Sequence, residues 1–210
     1  MERDIARMLL EIKAVFLSPN DPFTWASGIK SPVYCDNRLI LSYPEGRRKV
    51  AKALAHSVSR HYPETELVAG TSTGGIAHAA LVAELLELPM VYVRASAKEH
   101  GRQQLIEGRA LPGQKTVVIE DLISTGGSVT EVVNILREAK TEVLGIASIF
   151  TYEMQKGFER LRENNVKNVS LSSYSALIKT ALETGLISQK DFSKLEMFQK
   201  NPNDTAWMEI

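Results

Sequence analysis

From Leu67 onward, short runs of apolar and β-branched residues alternate with longer stretches of helical spacing. The runs are Leu67-Val68-Ala69, Met90-Val91-Tyr92-Val93, Thr116-Val117-Val118-Ile119 and Val143 to Phe150. A run with no polar positions predicts a strand buried on both faces, as in a parallel sheet between helices. Helical spacing over 76–87 and 128–139 supplies the intervening helices. A strand near 168–171 and helices near 174–184 and 188–199 complete the pattern. The alternation predicts an α/β fold, a parallel sheet flanked by helices.

The first third reads differently. Ile5, Met8, Leu9, Ile12 and Val15 recur at helical spacing, which predicts an amphipathic helix over 2–17, stopped by Pro19-Asn20-Asp21-Pro22. Two β-like pieces follow, around Phe23-Thr24-Trp25 and Val33-Tyr34-Cys35, with Ser27-Gly28 between them. Ser42 and Glu45 match a capping box, and Val50, Leu54 and Val58 carry a helix on toward Pro63. No repeat, linker or low-complexity tract interrupts the chain. It is expected to form one domain over 1–210, with roughly 1–41 packed onto the sheet as a small appendage.

Composition narrows the function. The 210 residues carry 25 Lys plus Arg against 25 Asp plus Glu, so the formal net charge is zero. That balance lacks the basic excess of a nucleic-acid or anionic-membrane partner. Cys35 is the only cysteine, which excludes an internal disulfide and a multi-cysteine metal site. The charged start MERDIARMLLEIKAVFL has no continuous apolar core, and no run of about eighteen apolar residues occurs. Neither a signal peptide nor a membrane span is expected, and the chain reads as cytoplasmic.

Ligands of such sheets bind at the carboxyl ends of the strands, so the loops after Ala69, Val93 and Ile119 are where chemistry is expected. The last of them reads Glu120-Asp121-Leu122-Ile123-Ser124-Thr125-Gly126-Gly127-Ser128 and opens a helix, with Ser128 and Glu131 placed as its cap. Glycines and hydroxyls before a helix N-terminus form a phosphate cradle of backbone N–H groups. A carboxylate there would repel phosphate, but paired acids suit the hydroxyls of a ribose carrying that phosphate. The stretch is neither a Walker loop nor a dinucleotide fingerprint. Val117 to Ser128 resembles the signature of type I phosphoribosyltransferases that binds phosphoribosyl pyrophosphate (PRPP). The resemblance implies that Glu120 and Asp121 hold the ribose, that Ser124 to Ser128 hold the 5′-phosphate, and that Leu122 and Ile123 lie between.

The loop Thr71-Ser72-Thr73-Gly74-Gly75 also joins a strand to a helix, and a second backbone nest on the same crevice suits a second phosphate group. The resemblance makes it the pyrophosphate loop. The long polar stretch 94–109 has no periodicity, as functional loops often do not. Its Arg94, Lys98, His100 and Gly101 resemble the catalytic loop of orotate phosphoribosyltransferases. This implies that Arg94, Lys98 and His100 meet the pyrophosphate at the neighbouring subunit's site in a homodimer, with Lys98, His100 and Asp121 the catalytic groups. Mg²⁺ is implied as cofactor, held mainly by substrate oxygens and with no protein metal ligands. The segment Phe23 to Arg38 resembles the same family's hood over the orotate. Some members carry lysines where Ala26 and Ala95 stand, and an orotate-binding arginine near Glu153. Arg38 and Lys30 are therefore the expected sources of charge for orotate, beside Ser124.

Three other readings stay open on sequence alone: transfer to a purine or to uracil, a PRPP-sensing regulator, and an α/β domain with incidental glycine turns. The regulator needs a DNA-binding module or basic face, neither of which the sequence contains. The last needs three consecutive strand-end loops to look phosphate-adapted by chance.

Overall fold

The computed structural model describes residues 1–25, 28–95 and 105–210. Its centre is a six-stranded sheet built from β5 (Leu67–Thr71), β6 (Met90–Val93), β7 (Ile106–Glu107), β8 (Lys115–Ile123), β9 (Glu142–Thr151) and β10 (Asn168–Ser173). The order across the sheet is β10-β9-β8-β5-β6-β7. All neighbours are parallel except β7, which runs antiparallel to β6.

Period-two alternation sends successive strand residues to opposite faces, and both faces are apolar. Val117 and Ile119 join the core cluster beneath α1 (Glu2–Glu11), α2 (Pro44–His61), α3 (Gly74–Leu86), α6 (Tyr174–Glu183) and α7 (Gln189–Lys200). Val118 and Ile146 join the other cluster, under Val129, Val133 and Leu136 of α4 (Gly127–Glu138) and Leu161 of α5 (Gln155–Glu163). Burial on two sides is why the strands read as unbroken apolar runs. From β5 the chain crosses through α3 to β6 on one side, whereas β8, β9 and β10 extend the sheet on the other. The order therefore reverses between β5 and β8, and a crevice opens where their carboxyl ends part.

The amino-terminal part departs from the expected helix over 2–17. Helix α1 stops at Glu11, Lys13 turns with φ 56°, and β1 (Val15–Leu17) pairs antiparallel with β4 (Val33–Cys35). Val15 falls on the helical spacing yet serves as a buried strand residue. The two-residue strands β2 (Phe23–Thr24) and β3 (Lys30–Ser31) form a second ribbon, and a 3₁₀ turn covers Asn37–Ser42. Ser42 lies in that turn and caps nothing. Helix α2 starts instead on Pro44, with Tyr43 at its N-cap and no side-chain cap. Proline at the first helical position carries a preset φ and lacks an N–H, so one of the donors otherwise orphaned at a helix start is absent.

Candidate active site

Both glycine loops sit at the crevice, and the parallel register of β5 and β8 brings them together. Gly70 lies opposite Ile119, so Thr71 at the end of β5 comes beside Glu120 of β8. The Thr71 hydroxyl donates to Glu120 Oε1 at 2.7 Å, and the Asp121 N–H donates to the same oxygen at 2.9 Å. Strand β8 runs on to Ile123, so the two acids are strand residues rather than loop residues. Glu120 is 5% exposed. Burial pushes its carboxyl up to about 8, and the hydrogen bond and charge of Asp121 act in the same direction.

Gly74, the first residue of α3, lies against the Asp121 carboxylate. A Cβ at Gly74 would come within 2.5 Å of Asp121 Oδ1 and nearer still to Cγ and Oδ2. Only a residue without a side chain allows that approach. The loop ahead of it is tied to the end of β6, where the Ser72 hydroxyl donates to Val93 O at 2.6 Å. The Ser72–Thr73 peptide is cis. Arg94 follows Val93 directly and pairs with Glu107 at 3.6 Å. Thr71, Ser72, Thr73, Gly74, Gly75, Arg94, Glu120 and Asp121 are thus gathered at one crevice. Lys98 and His100 lie outside the described residues, as does Ala26.

On the other side of Asp121, the chain reaches Ser124-Thr125-Gly126-Gly127-Ser128 through Leu122 and Ile123. Gly126 stands at the N-cap of α4 with φ 72°, a left-handed conformation that glycine adopts without a Cβ penalty. The cap expected from Ser128 and Glu131 does not form, because α4 begins one residue earlier, at Gly127. The Thr130 hydroxyl donates back to Gly126 O at 2.8 Å.

The hood closes over this loop. Asn37 Nδ2 donates to Asp121 O at 2.6 Å, fastening the 3₁₀ turn to the acid pair. A cavity of about 870 Å³ lies between the hood and the loop. Trp25, Ile29, Tyr34 and Cys35 line its hood side, Leu122, Ser124, Thr125 and Tyr152 its floor, and Lys156, Glu159 and Lys200 to Asn203 its outer wall. Trp25 and Tyr152 meet edge to face with ring centroids 5.4 Å apart. A second cavity of about 500 Å³ touches Ser124 from the α5–β10 side but reaches neither the hood nor the acids. The larger cavity joins the aromatic side chains of Trp25, Tyr34 and Tyr152 to Ser124 and Thr125.

Arg38 and Lys30 are not among that cavity's lining residues. Arg38 makes a two-pronged bond to Asp36, at 2.6 and 2.8 Å, and Lys30 bonds Thr24 Oγ1 at 2.8 Å. Glu153 also turns elsewhere: its carboxylate accepts from Ser175 N at 2.8 Å and Gln199 Nε2 at 2.9 Å, tying β9 to α6 and α7. The contribution of Lys156 and Lys200–Asn203 went unnoticed in the sequence. No motif marks either segment, and only the fold brings them to the hood.

Among the described residues, no three His, Cys, Asp or Glu side chains cluster as a metal cage, and no helix is long and apolar enough to cross a membrane. The donors that face the crevice are oxygens of carboxylates, hydroxyls and backbone, which fit a hard cation such as Mg²⁺.

The fold and its two loops define a class, and a family model for the phosphoribosyl transferase domain matches residues 40–181. Orotate phosphoribosyltransferases from Bacillus cereus (strain G9842) and Bacillus anthracis (strain CDC 684 / NRRL 3495) are each 57% identical over 208 residues, covering 99% of either chain. The solved orotate phosphoribosyltransferase of Aeropyrum pernix is 27% identical, with a TM-score of 0.75 over 88% of this chain and 99% of that one. Leishmania donovani UMP synthase superposes at TM-score 0.82 and 26% identity, over 95% of this chain and 42% of that larger one. The chain belongs to the phosphoribosyltransferase family and, within it, to the orotate phosphoribosyltransferases.

Proposed function

We propose that the protein transfers the ribose 5-phosphate group of PRPP to orotate, giving orotidine 5′-monophosphate and pyrophosphate in pyrimidine synthesis. The arrangement of the two glycine loops about Asp121 carries this reading: Gly74 of the first lies against its carboxylate, and the second opens at Ser124, three residues further along the chain. It sets one anion cradle on each side of an acid, as a ribose bearing a phosphate at one end and a pyrophosphate at the other requires.

In this reading Ser124 to Ser128 hold the 5′-phosphate, Thr71 to Gly75 hold the pyrophosphate, and Glu120 and Asp121 hold the ribose hydroxyls. The bond from C1 to pyrophosphate oxygen breaks as the bond from C1 to the orotate ring nitrogen forms, and the proton of that ring N–H leaves to the pyrophosphate or to water. Positive charge grows on the ribose and negative charge on the leaving group. Asp121 supplies negative potential beside the first. Arg94, Lys98 and His100, all from the loop of the neighbouring subunit, neutralise the second, and His100 can donate it a proton. No covalent nucleophile is required, so rate comes from positioning and electrostatics. The Asp121 carboxylate would face a Mg²⁺ ion held mainly by substrate oxygens, which would supply further charge neutralisation on the pyrophosphate. The chain acts as one domain over 1–210, in a homodimer, in the cytoplasm.

Two inactive variants test the shared site. Lys98→Ala should lose roughly a hundredfold in kcat, the usual loss for a transition-state charge contact, and Asp121→Ala should be similarly impaired. If the loop serves the neighbouring site, mixing the two after subunit exchange restores about a quarter of the native rate, since half the dimers are mixed and each has one intact site. No recovery on mixing would place Lys98 in its own subunit's site.

A further inference from the structure

We infer that Lys156 and Lys200, together with the Asn201–Asn203 turn that follows α7, form the wall of the base cavity that recognises the substrate's carboxylate. The inference rests on the proposal that the base is orotate, a pyrimidine acid. A carboxylate entering a cavity walled by Trp25, Tyr34 and Tyr152 loses water and needs a cation or several donors to replace it. Among the described residues lining the cavity, Lys156 and Lys200 are the cations, and neither is engaged in an ion pair. Arg38 and Lys30 are bonded to Asp36 and Thr24 instead.

The two lysines reach the cavity from different elements. Lys156 lies in the first turn of α5 and Lys200 ends α7. The chain beyond Lys200 is fixed rather than loose. Asn201 Oδ1 accepts from the Asn203 N–H at 3.3 Å, and the Asp204 N–H donates to Asn201 O at 3.1 Å. Trp207, 1% exposed, anchors the end of this turn against Phe198 with ring centroids 5.8 Å apart. The tail is thereby held across the cavity mouth, where the Asn201 and Asn203 amides can add donors to those of the lysines.

The test is steady-state kinetics of Lys156→Ala, Lys200→Ala and the double variant, with native-like circular dichroism and thermal transition as the folding check. Each single variant should raise KM for orotate roughly tenfold, the loss of a charge-assisted hydrogen bond, and the double variant more. KM for PRPP should stay within about twofold, because the phosphate cradles are untouched. Lys156→Arg and Lys200→Arg keep the charge and should recover most of the orotate affinity. A folded double variant with native KM for orotate would overturn the inference while leaving the activity standing. A native enzyme that ignores orotate would instead remove the reading beneath it.

Discussion

Gly74→Ala isolates the geometry of the crevice in a single methyl group. The added Cβ would lie 2.5 Å from Asp121 Oδ1, against an ordinary contact that begins near 3.4 Å. Cγ and Oδ2 lie nearer still, so the carboxylate or the start of α3 must give way by at least about 0.9 Å, the difference between those two distances. Asn37 holds the backbone carbonyl of Asp121 and Glu120 accepts from its N–H, so the side chain can yield only by rotating out of its position on a fixed backbone. A misplacement of about 1 Å in a positioning group can cost on the order of a hundredfold in rate, or about 2.7 kcal/mol of transition-state stabilisation. The backbone of Gly74 is not left-handed, and alanine favours a helix over glycine, so the fold should not suffer. The assay is kcat/KM for PRPP at saturating orotate, alongside a thermal melt. The expected result is a loss near a hundredfold with a native or slightly raised Tm. A folded variant within about threefold of native would refute the claim that this approach positions Asp121.

Glu120 gives a pH test. An unfolded glutamate ionises near 4.5, whereas in the folded chain Glu120 does so near 8. Between those values the folded state holds the extra proton, so this group's stabilisation is complete below 4.5, falls as pH rises and is gone above 8. Glu120→Gln should flatten that slope in denaturant titrations across this window, and an unchanged slope would contradict the assignment. His78 is fully buried on α3 with both ring nitrogens unpartnered among the described residues, and burial lowers its pKa. His78→Leu should leave stability equal or raise it by about 1 kcal/mol, since an unsatisfied polar group is removed; a clear drop in Tm would show a partner for the ring. Tyr62 donates to Ile146 O at 3.1 Å from a buried hydroxyl. Tyr62→Phe should cost about 1 kcal/mol and lower Tm by roughly 2–4 °C, measurable by calorimetry.

The sheet was legible because burial on both faces leaves a strong signal: Val117, Val118 and Ile119 are all inside. The two glycine loops were legible for a related reason, since a Cβ at Gly74 would strike the Asp121 carboxylate and Gly126 takes a left-handed φ that favours glycine. What escaped the sequence is short or weakly patterned. Helix α5 buries only Gly157 and Leu161, too little for a periodic stripe. Strands β7 and β3 are two residues long and exist through their partners, whereas β2 falls on the piece expected around Phe23-Thr24-Trp25. The Ser42–Glu45 pattern failed because Pro44 starts the helix without a side-chain cap. The outer wall of the base cavity was invisible for a different reason. Lys156 and Lys200 look like ordinary surface lysines until α5 and α7 pack beside the hood.

The central claim is tested most directly by offering the purified protein PRPP and Mg²⁺ with orotate, adenine, hypoxanthine or uracil in parallel. The loss of orotate's ultraviolet absorbance follows the first, and product chromatography follows the rest. Turnover of orotate alone, stopped by EDTA, is the predicted result. Preferential turnover of a purine or uracil would contradict the base assignment, and tight PRPP binding with no turnover of any base would contradict the catalytic account itself.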